Sequence, residues 1–376
     1  MKYYVIAGEA SGDLHGANLM AAIRRQDPSA EFRFWGGDHM AAVGGTPVRH
    51  ISSLSIMGFI EVATHMRSVL GNIAFCKKDI LQYRPDAMVF VDYPGFNLRI
   101  AKFTRQHGLR NFYYISPMVW AWKKGRIKKM RPVIDKLYYI LPFERNFFAH
   151  NYFQQAVYVG HPLLDEAAKY PLHPAPSSSA EGERHLPLVA LLPGSRKQEL
   201  AASLPAMLHV AGQHPEYQFE IAGMSLLGRN HYLSFLKEAP KNVLLKLDQT
   251  YNILSRSYAA IVCSGTATLE ACLFGVPQVV CYRANAASAA IARHLLKVRY
   301  ISLVNLVMNR RVVTELVQEH FTFPELEQEF RRLTQDDGYR TKMLEDYEEV
   351  KRELGGVGAS ERTARDIVAE LQKPNP

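Results

Sequence analysis

No apolar run in the 376-residue chain approaches the roughly 18 residues that a membrane-spanning helix needs. That excludes an integral membrane protein of the helical kind. Cysteine is scarce: Cys76, Cys263, Cys272 and Cys281 are the four present, none in C-x-x-C spacing and the last three in apolar sequence. They read as buried thiols in a reducing compartment. The first six residues carry one positive charge and lead straight into a turn, unlike a signal peptide, so a cytoplasmic protein is expected. Also missing are a Walker glycine-lysine-serine, a G-x-G-x-x-G and any known nucleic-acid module. The second half lacks the D-x-D pair that would hold a divalent ion against a diphosphate. His15, His107 and His161 lack metal-ligand spacing, and the expectation is that no metal or other cofactor is used.

What is present begins with Val5-Ile6-Ala7-Gly8-Glu9-Ala10-Ser11-Gly12-Asp13 followed by the helical spacing of Leu14 to Arg25. This is strand, tight turn, helix, and such a turn turns unpaired amides and a partial positive charge toward a ligand. It reads as a phosphate loop or as a plain turn capped by Ser11 or Asp13; Glu9 and Asp13 would repel phosphate. The net charge of +9 favours an anionic partner without choosing among nucleic acid, lipid and phosphorylated substrate.

The length exceeds what one core usually supports, so two domains are expected. Further strands are predicted at Phe32–Trp35, Asp86–Val91, Phe112–Ile115, Lys136–Leu141 and Ala156–Val159, separated by helical stretches. That pattern means a parallel sheet covered on both faces. The stretch 171–187, rich in proline, serine and charge, reads as a linker. The pattern then restarts with strands at Leu188–Leu192, Phe219–Ala222, Val243–Leu245, Ala259–Cys263 and Gln278–Cys281. The fold class is α/β: an N-terminal Rossmann-like domain over 1–170, a C-terminal one over 188–335, a cleft between them, and helices over 336–376. The last helix, with Ser360 as N-cap and Ala364, Ile367, Val368 and Leu371 as its apolar stripe, is expected to cross back to the first domain or to a partner chain.

Three places can carry chemistry. Pro193-Gly194-Ser195-Arg196 and Ser264-Gly265-Thr266-Ala267-Thr268 each bring backbone amides to a helix start; with Arg196 and the hydroxyls of Thr266 and Thr268 they suit a diphosphate, and Glu270 can accept from ribose hydroxyls. Asp92 ends an apolar strand, where partial burial would raise its pKa and make it a better base, or it caps the next helix. Ile60, Ala63, Met66, Leu70, Ile73 and Ala74 form a stripe that is either core or a membrane-binding patch. Trp120 and Trp122 precede Lys123, Lys124, Arg126, Lys128, Lys129 and Arg131, a solvated face or a surface for anionic headgroups.

Taken together, Gly8–Asp13, Met57-Gly58-Phe59-Ile60-Glu61-Val62, Asp92-Tyr93-Pro94-Gly95-Phe96-Asn97, Ser116-Pro117 with Trp120-Ala121-Trp122, Leu192–Arg196, Ser264–Ala267 with Glu270, and Ser302-Leu303-Val304-Asn305-Leu306 resemble the lipid A disaccharide synthase family, inverting glycosyltransferases of the GT-B fold. The resemblance implies transfer of 2,3-diacylglucosamine from its UDP derivative to 2,3-diacylglucosamine 1-phosphate, giving a β-1,6-linked disaccharide 1-phosphate and UDP. It assigns UDP to the second half through Ser195, Arg196, Gly265, Thr266, Ala267, Glu270, Tyr282 and Asn305. It assigns catalysis to Asp92, with Glu9 and Ser11 binding sugar hydroxyls or orienting Asp92 on the acceptor side. The acylated substrates imply a membrane or acceptor surface at Ile56, Met57, Phe59, Met66, Leu70, Trp120, Trp122, Lys123, Lys124 and Arg126, on the cytoplasmic face of the inner membrane. A homodimer with exchanged C-terminal parts is implied as an option; nucleic acid is not a partner. The chain departs from the family pattern at Tyr93, in place of alanine, and at Gly95, where many members carry a second aspartate. The rivals are a UDP-N-acetylglucosamine 2-epimerase, the peptidoglycan-precursor glycosyltransferase, and a non-catalytic protein that binds anionic lipid.

Overall fold

The computed structural model describes residues 1–53, 66–120, 125–151, 153–171, 186–284 and 299–373. The chain divides into two compact units, Met1–Pro162 with Val357–Pro376, and Leu163–Gly356. The helical stretch expected to leave the second domain at residue 336 stays in it: the helix Asp337–Glu353 buries Met343, Tyr347 and Val350 in the second unit's core. Only the final helix belongs to the first unit.

The first unit is a parallel sheet of β1 (Lys2–Ala7), β2 (Glu31–Gly36), β3 (Thr46–His50), β4 (Ala87–Val91), β5 (Arg110–Tyr114), β6 (Lys136–Tyr139) and β7 (Ala156–Tyr158) in the order β3-β2-β1-β4-β5-β6-β7. Central strands are apolar along their whole length because helices cover both faces: every residue of β4 is buried. Val5 pairs with Val89 and Ala7 with Val91, which aligns the ends of β1 and β4. Strand order reverses between these two strands, and ligands of such sheets bind outside the carboxyl ends of strands at that point.

The second unit repeats the plan with β8 (Leu188–Leu192), β9 (Gln218–Gly223), β10 (Val243–Leu247), β11 (Ala259–Cys263), β12 (Gln278–Tyr282) and β13 (Thr314–Val317), ordered β10-β9-β8-β11-β12-β13. Its reversal lies between β8 and β11.

The strands absent from the sequence reading, β3 and β13, are both sheet edges. β3 is largely exposed and contains Pro47, which an edge tolerates because one side of its backbone needs no partner. β13 opens with Thr314 and Glu315 and has only Leu316 and Val317 as apolar residues.

The helix Ala359–Gln372 packs on the helix Ala10–Gln26, burying Ala364, Ile367 and Val368 with Leu19 and Ile23. Burying each branched aliphatic side chain contributes about 1.5–3 kcal/mol. Polar ties fix its register: Tyr138 donates to Asp366 at 2.8 Å, Arg110 to the Glu370 carbonyl at 2.8 Å, and Arg362 to the Val159 carbonyl at 2.8 Å. Gly358, at φ +103°, is the N-cap, not Ser360. Ser360 lies inside the first turn, its hydroxyl 3.3 Å from that of Tyr114. All four cysteines are buried free thiols. Among the described residues no helix is long and apolar enough to cross a membrane.

Candidate active site

At the switch point of the first unit the turn after β1 contains Gly8 and Glu9, and the helix begins already at Ala10. Neither Ser11 nor Asp13 caps it; the N-cap is Glu9, without a side-chain bond. Ser11 is exposed in the first turn. Asp13 is buried and turned to the neighbouring connection, accepting from the amides of Gly37 (2.6 Å), His39 (3.0 Å) and Met40 (3.1 Å). It anchors the turn after β2 and offers nothing to a ligand.

Asp92 follows β4 and is half-buried. The N-cap of the next helix, Pro94–Gln106, is Tyr93, so Asp92 is not held there as a cap. Burial, and then the negative charge of Glu9, push its carboxyl up to about 7. Such a group is about half ionised at neutral pH, and its ionised form is basic enough to take a proton from a hydroxyl. Glu9 and Asp92 are therefore electrostatic neighbours. Tyr93 is the third member: burial and Glu9 raise its phenol as well. Beyond β7, His161 is buried and pushed down to about 3 by burial and by His15, which keeps it neutral.

At the switch point of the second unit, Gly194 (φ +107°) turns the chain back so closely that a Cβ there would lie 2.6 Å from Glu199 Cβ. Glu199 fills the turn. Its carboxylate accepts from the amides of Ser195 (3.0 Å) and Arg196 (3.2 Å), and from the Arg196 guanidinium (3.3 Å). The expectation of unpaired amides in this turn is thus corrected: a carboxylate three residues on from Arg196 already takes them. The Arg196 side chain is 70% exposed and reaches away from the core.

The turn after β11 is the open one. Gly265 (φ +151°) is the exposed N-cap of the helix Thr266–Leu273, and a Cβ on it would touch nothing within 4 Å. The first amides of that helix have no acceptor within it. Thr266 is exposed beside them. Thr268 is not available, since it is buried, donates to the Gly265 carbonyl (2.9 Å) and accepts from the Leu303 amide (3.3 Å). Ala267 is half-buried one residue into the helix. One turn on, Glu270 accepts from the Tyr251 hydroxyl at 3.3 Å, and burial pushes it up to about 7. Tyr282 ends β12; its phenol is raised by burial and by the charge of Glu199.

Asn305 is corrected more fully. It is wholly buried, and all its hydrogen-bonding capacity is used: Nδ2 donates to Val313 O (2.9 Å) and Glu315 (2.8 Å), Oδ1 accepts from the amides of Val312 (2.7 Å) and Val313 (3.0 Å). It has nothing left for a nucleotide. Glu315 completes this clasp by accepting from the Ser302 amide (2.9 Å) and hydroxyl (2.7 Å). Glu199 and Glu315 are the residues that sequence reading missed. For Glu199 the signal was there, an acidic residue in the first turn of a helix, where it can reach back to the leading amides.

Of the surface residues, Ile56, Met57, Phe59, Trp122, Lys123 and Lys124 lie outside the described residues, as do Ile60 and Ala63. Met66 is described only as the first backbone position of the helix Met66–Tyr83. The stripe on that helix divides: Ile73 is core, while Leu70 is 54% exposed and Ala74 is exposed, and the neighbouring Phe75, outside the stripe, is 41% exposed. Trp120 is half-buried, edge-on to Phe143 with ring centroids 4.8 Å apart. Arg126 begins the helix Arg126–Met130 and is half-buried. Among the described residues no group of three or more His, Cys, Asp or Glu side chains could hold a metal ion.

Comparison with known proteins follows the same lines. Residues 3–368 match the sequence profile of the family described as lipid-A-disaccharide synthetase. The lipid-A-disaccharide synthase of Trichlorobacter lovleyi is 33% identical over 376 residues, covering 98% of this chain and 97% of its own. That of Syntrophus aciditrophicus is 36% identical over 380 residues, with the same coverage. Among solved structures, the UDP-GlcNAc 2-epimerase of Neisseria meningitidis bound to UDP-GlcNAc superposes with a TM-score of 0.64 at 12% identity over 100% of both chains. The glycosyltransferase of kitacinnamycin gives 0.64 at 14% identity over 98% of each. At these identities the structures speak for the fold, that of GT-B glycosyltransferases and 2-epimerases; the sequence relatives speak for the family.

Proposed function

Since the chain belongs to the lipid-A-disaccharide synthase family, we propose a division of its chemistry in which the first unit activates the acceptor and the second holds the UDP-sugar donor. The enzyme is a UDP-sugar-dependent hexosyltransferase. It transfers 2,3-diacylglucosamine from its UDP derivative to 2,3-diacylglucosamine 1-phosphate, forming the β-1,6-linked tetraacyl disaccharide 1-phosphate and UDP. An epimerase of similar fold is not favoured, because fold does not separate these activities and the family match does.

The observation that carries the division is Asp92 at the switch point of the first sheet, its carboxyl raised to about 7 beside Glu9. In the proposed step, Asp92 takes the proton of the acceptor 6-hydroxyl as that oxygen attacks the anomeric carbon from the face opposite UDP. The bond to the UDP oxygen breaks with its electron pair, so a single displacement inverts the configuration. Glu9 has the charge and exposure to accept from sugar hydroxyls, as does the Ser11 hydroxyl.

On the donor side, the open turn at Gly265, Thr266 and Ala267 and the exposed Arg196 are the groups suited to the diphosphate. Glu270 is suited to the ribose. Ser195 gives its amide to Glu199 but is exposed, so its hydroxyl is suited to the diphosphate, whereas Asn305 supports the site through the chain, its side chain being occupied internally. No metal ion is invoked in the step.

Four acyl chains on the two substrates require work at a lipid surface. The exposed Leu70 and Phe75 support a peripheral contact there, on the cytoplasmic face of the inner membrane, and binding to anionic vesicles that weakens with salt is the expected sign of the cations in it. A homodimer remains part of the proposal. The test of function is incubation with the two diacylated sugars and mass analysis: tetraacyl disaccharide 1-phosphate is expected, and unconsumed acceptor would refute the reading.

A further inference from the structure

Asp92 and Tyr93 are consecutive residues in the left-handed region, with φ +43° and +49°. Side chains disfavour that conformation; aspartate tolerates it better than most, but Tyr93 carries a bulky ring into it. A strained pair persists where its surroundings over-determine it, and such pairs gather at active sites.

Here the surroundings grip one atom from two sides. Asn97 Nδ2 donates to the Asp92 carbonyl oxygen at 2.7 Å, and the Tyr113 hydroxyl donates to the same oxygen at 2.5 Å. The Asp92 amide donates to the Tyr114 carbonyl at 3.0 Å. Tyr93 is wedged as well: its ring stacks on Phe96 at 5.6 Å, and a Cβ on Gly8 would come within 2.4 Å of it. Glycine at position 8 is therefore what admits the ring. Asn97 and Tyr113 are both completely buried, so neither donor faces a ligand.

We infer that Asn97 and Tyr113 are positioning residues, which aim the Asp92 carboxyl at the acceptor by clamping its carbonyl in the left-handed turn. The inference rests on Asp92 being the base. The Tyr113 ring belongs to the core of β5, whereas its hydroxyl serves the clamp, so Tyr113→Phe separates the two roles.

The experiment is a double-mutant cycle of Tyr113→Phe and Asp92→Asn, measured by single turnover with enzyme in excess, alongside UDP affinity. Misplacing a reacting group by an ångström costs on the order of 100-fold. Tyr113→Phe should lower kcat about 10- to 100-fold and leave donor KM and UDP affinity within about twofold. In the Asp92→Asn background the same change should cost less than about twofold, because it acts through a group already removed. Asn97→Ser should repeat the kcat–KM split. A normal Tyr113→Phe beside an inactive Asp92→Asn would overturn the positioning alone, as would equal losses in both backgrounds. Near-normal turnover in Asp92→Asn by itself would remove the base assignment, and the clamp's purpose with it.

Discussion

The switch point of the first unit places two carboxylates together, Asp92 and Glu9, whereas that of the second pairs a carboxylate with a cation, Glu199 with Arg196. The backbone plan is the same: a parallel sheet, an order reversal, and a turn leading into a helix. Burial, and then the like charge of Glu9, raise the pKa of one acid and make it a better base. Opposite charges at the surface satisfy each other loosely: a pair at 3.3 Å whose arginine is 70% exposed contributes about 1 kcal/mol. Exchanging Glu199 for a doubly charged diphosphate therefore costs Arg196 little. One turn is built to hold a charge that must change, the other a charge that must change partners.

Three substitutions sharpen or break this comparison. The largest effect is expected at Asp92→Asn. Removing a general base costs about 100- to 10,000-fold in turnover, while UDP affinity, a property of the second unit, should not move in a direct binding measurement. Next comes Arg196→Ala, expected to raise donor KM about 10- to 100-fold, the worth of a charge-assisted contact with a diphosphate, with a smaller change in kcat. Unchanged donor KM would take Arg196 out of the site. The smallest is Glu199→Gln, which keeps an acceptor for the Ser195 and Arg196 amides but removes the competing charge. UDP affinity should rise about two- to fivefold; a fall would mean that Glu199 aims Arg196 instead of competing for it.

The fold was legible wherever burial is uniform. Strands such as Ala87–Val91 and Ala259–Cys263, buried at every residue, announce themselves as unbroken apolar runs bounded by turn residues. The edges β3 and β13 did not, because an edge carries proline or charge that reads as loop. Asp92 was legible as an acid ending such a strand. Its clamp was not: Asn97 comes back from the first turn of the next helix and Tyr113 sits on another strand, brought to the same carbonyl by the sheet register. Asn305 shows the opposite failure. A polar residue in a family motif suggests a ligand contact, yet its partners Val312, Val313 and Glu315 are ahead in the chain and consume it. Local sequence shows which groups are present and leaves open which of them are already spoken for.

The most direct test of the division between the units is kcat/KM for the acceptor from about pH 5 to about pH 9, which reports the base in the free enzyme. Asp92, raised to about 7, is protonated below that value and cannot accept the hydroxyl proton. This kcat/KM should therefore rise about tenfold per pH unit on the acid side, bend near 7 and level off. A profile flat through 7 in the intact enzyme would contradict Asp92 as the base.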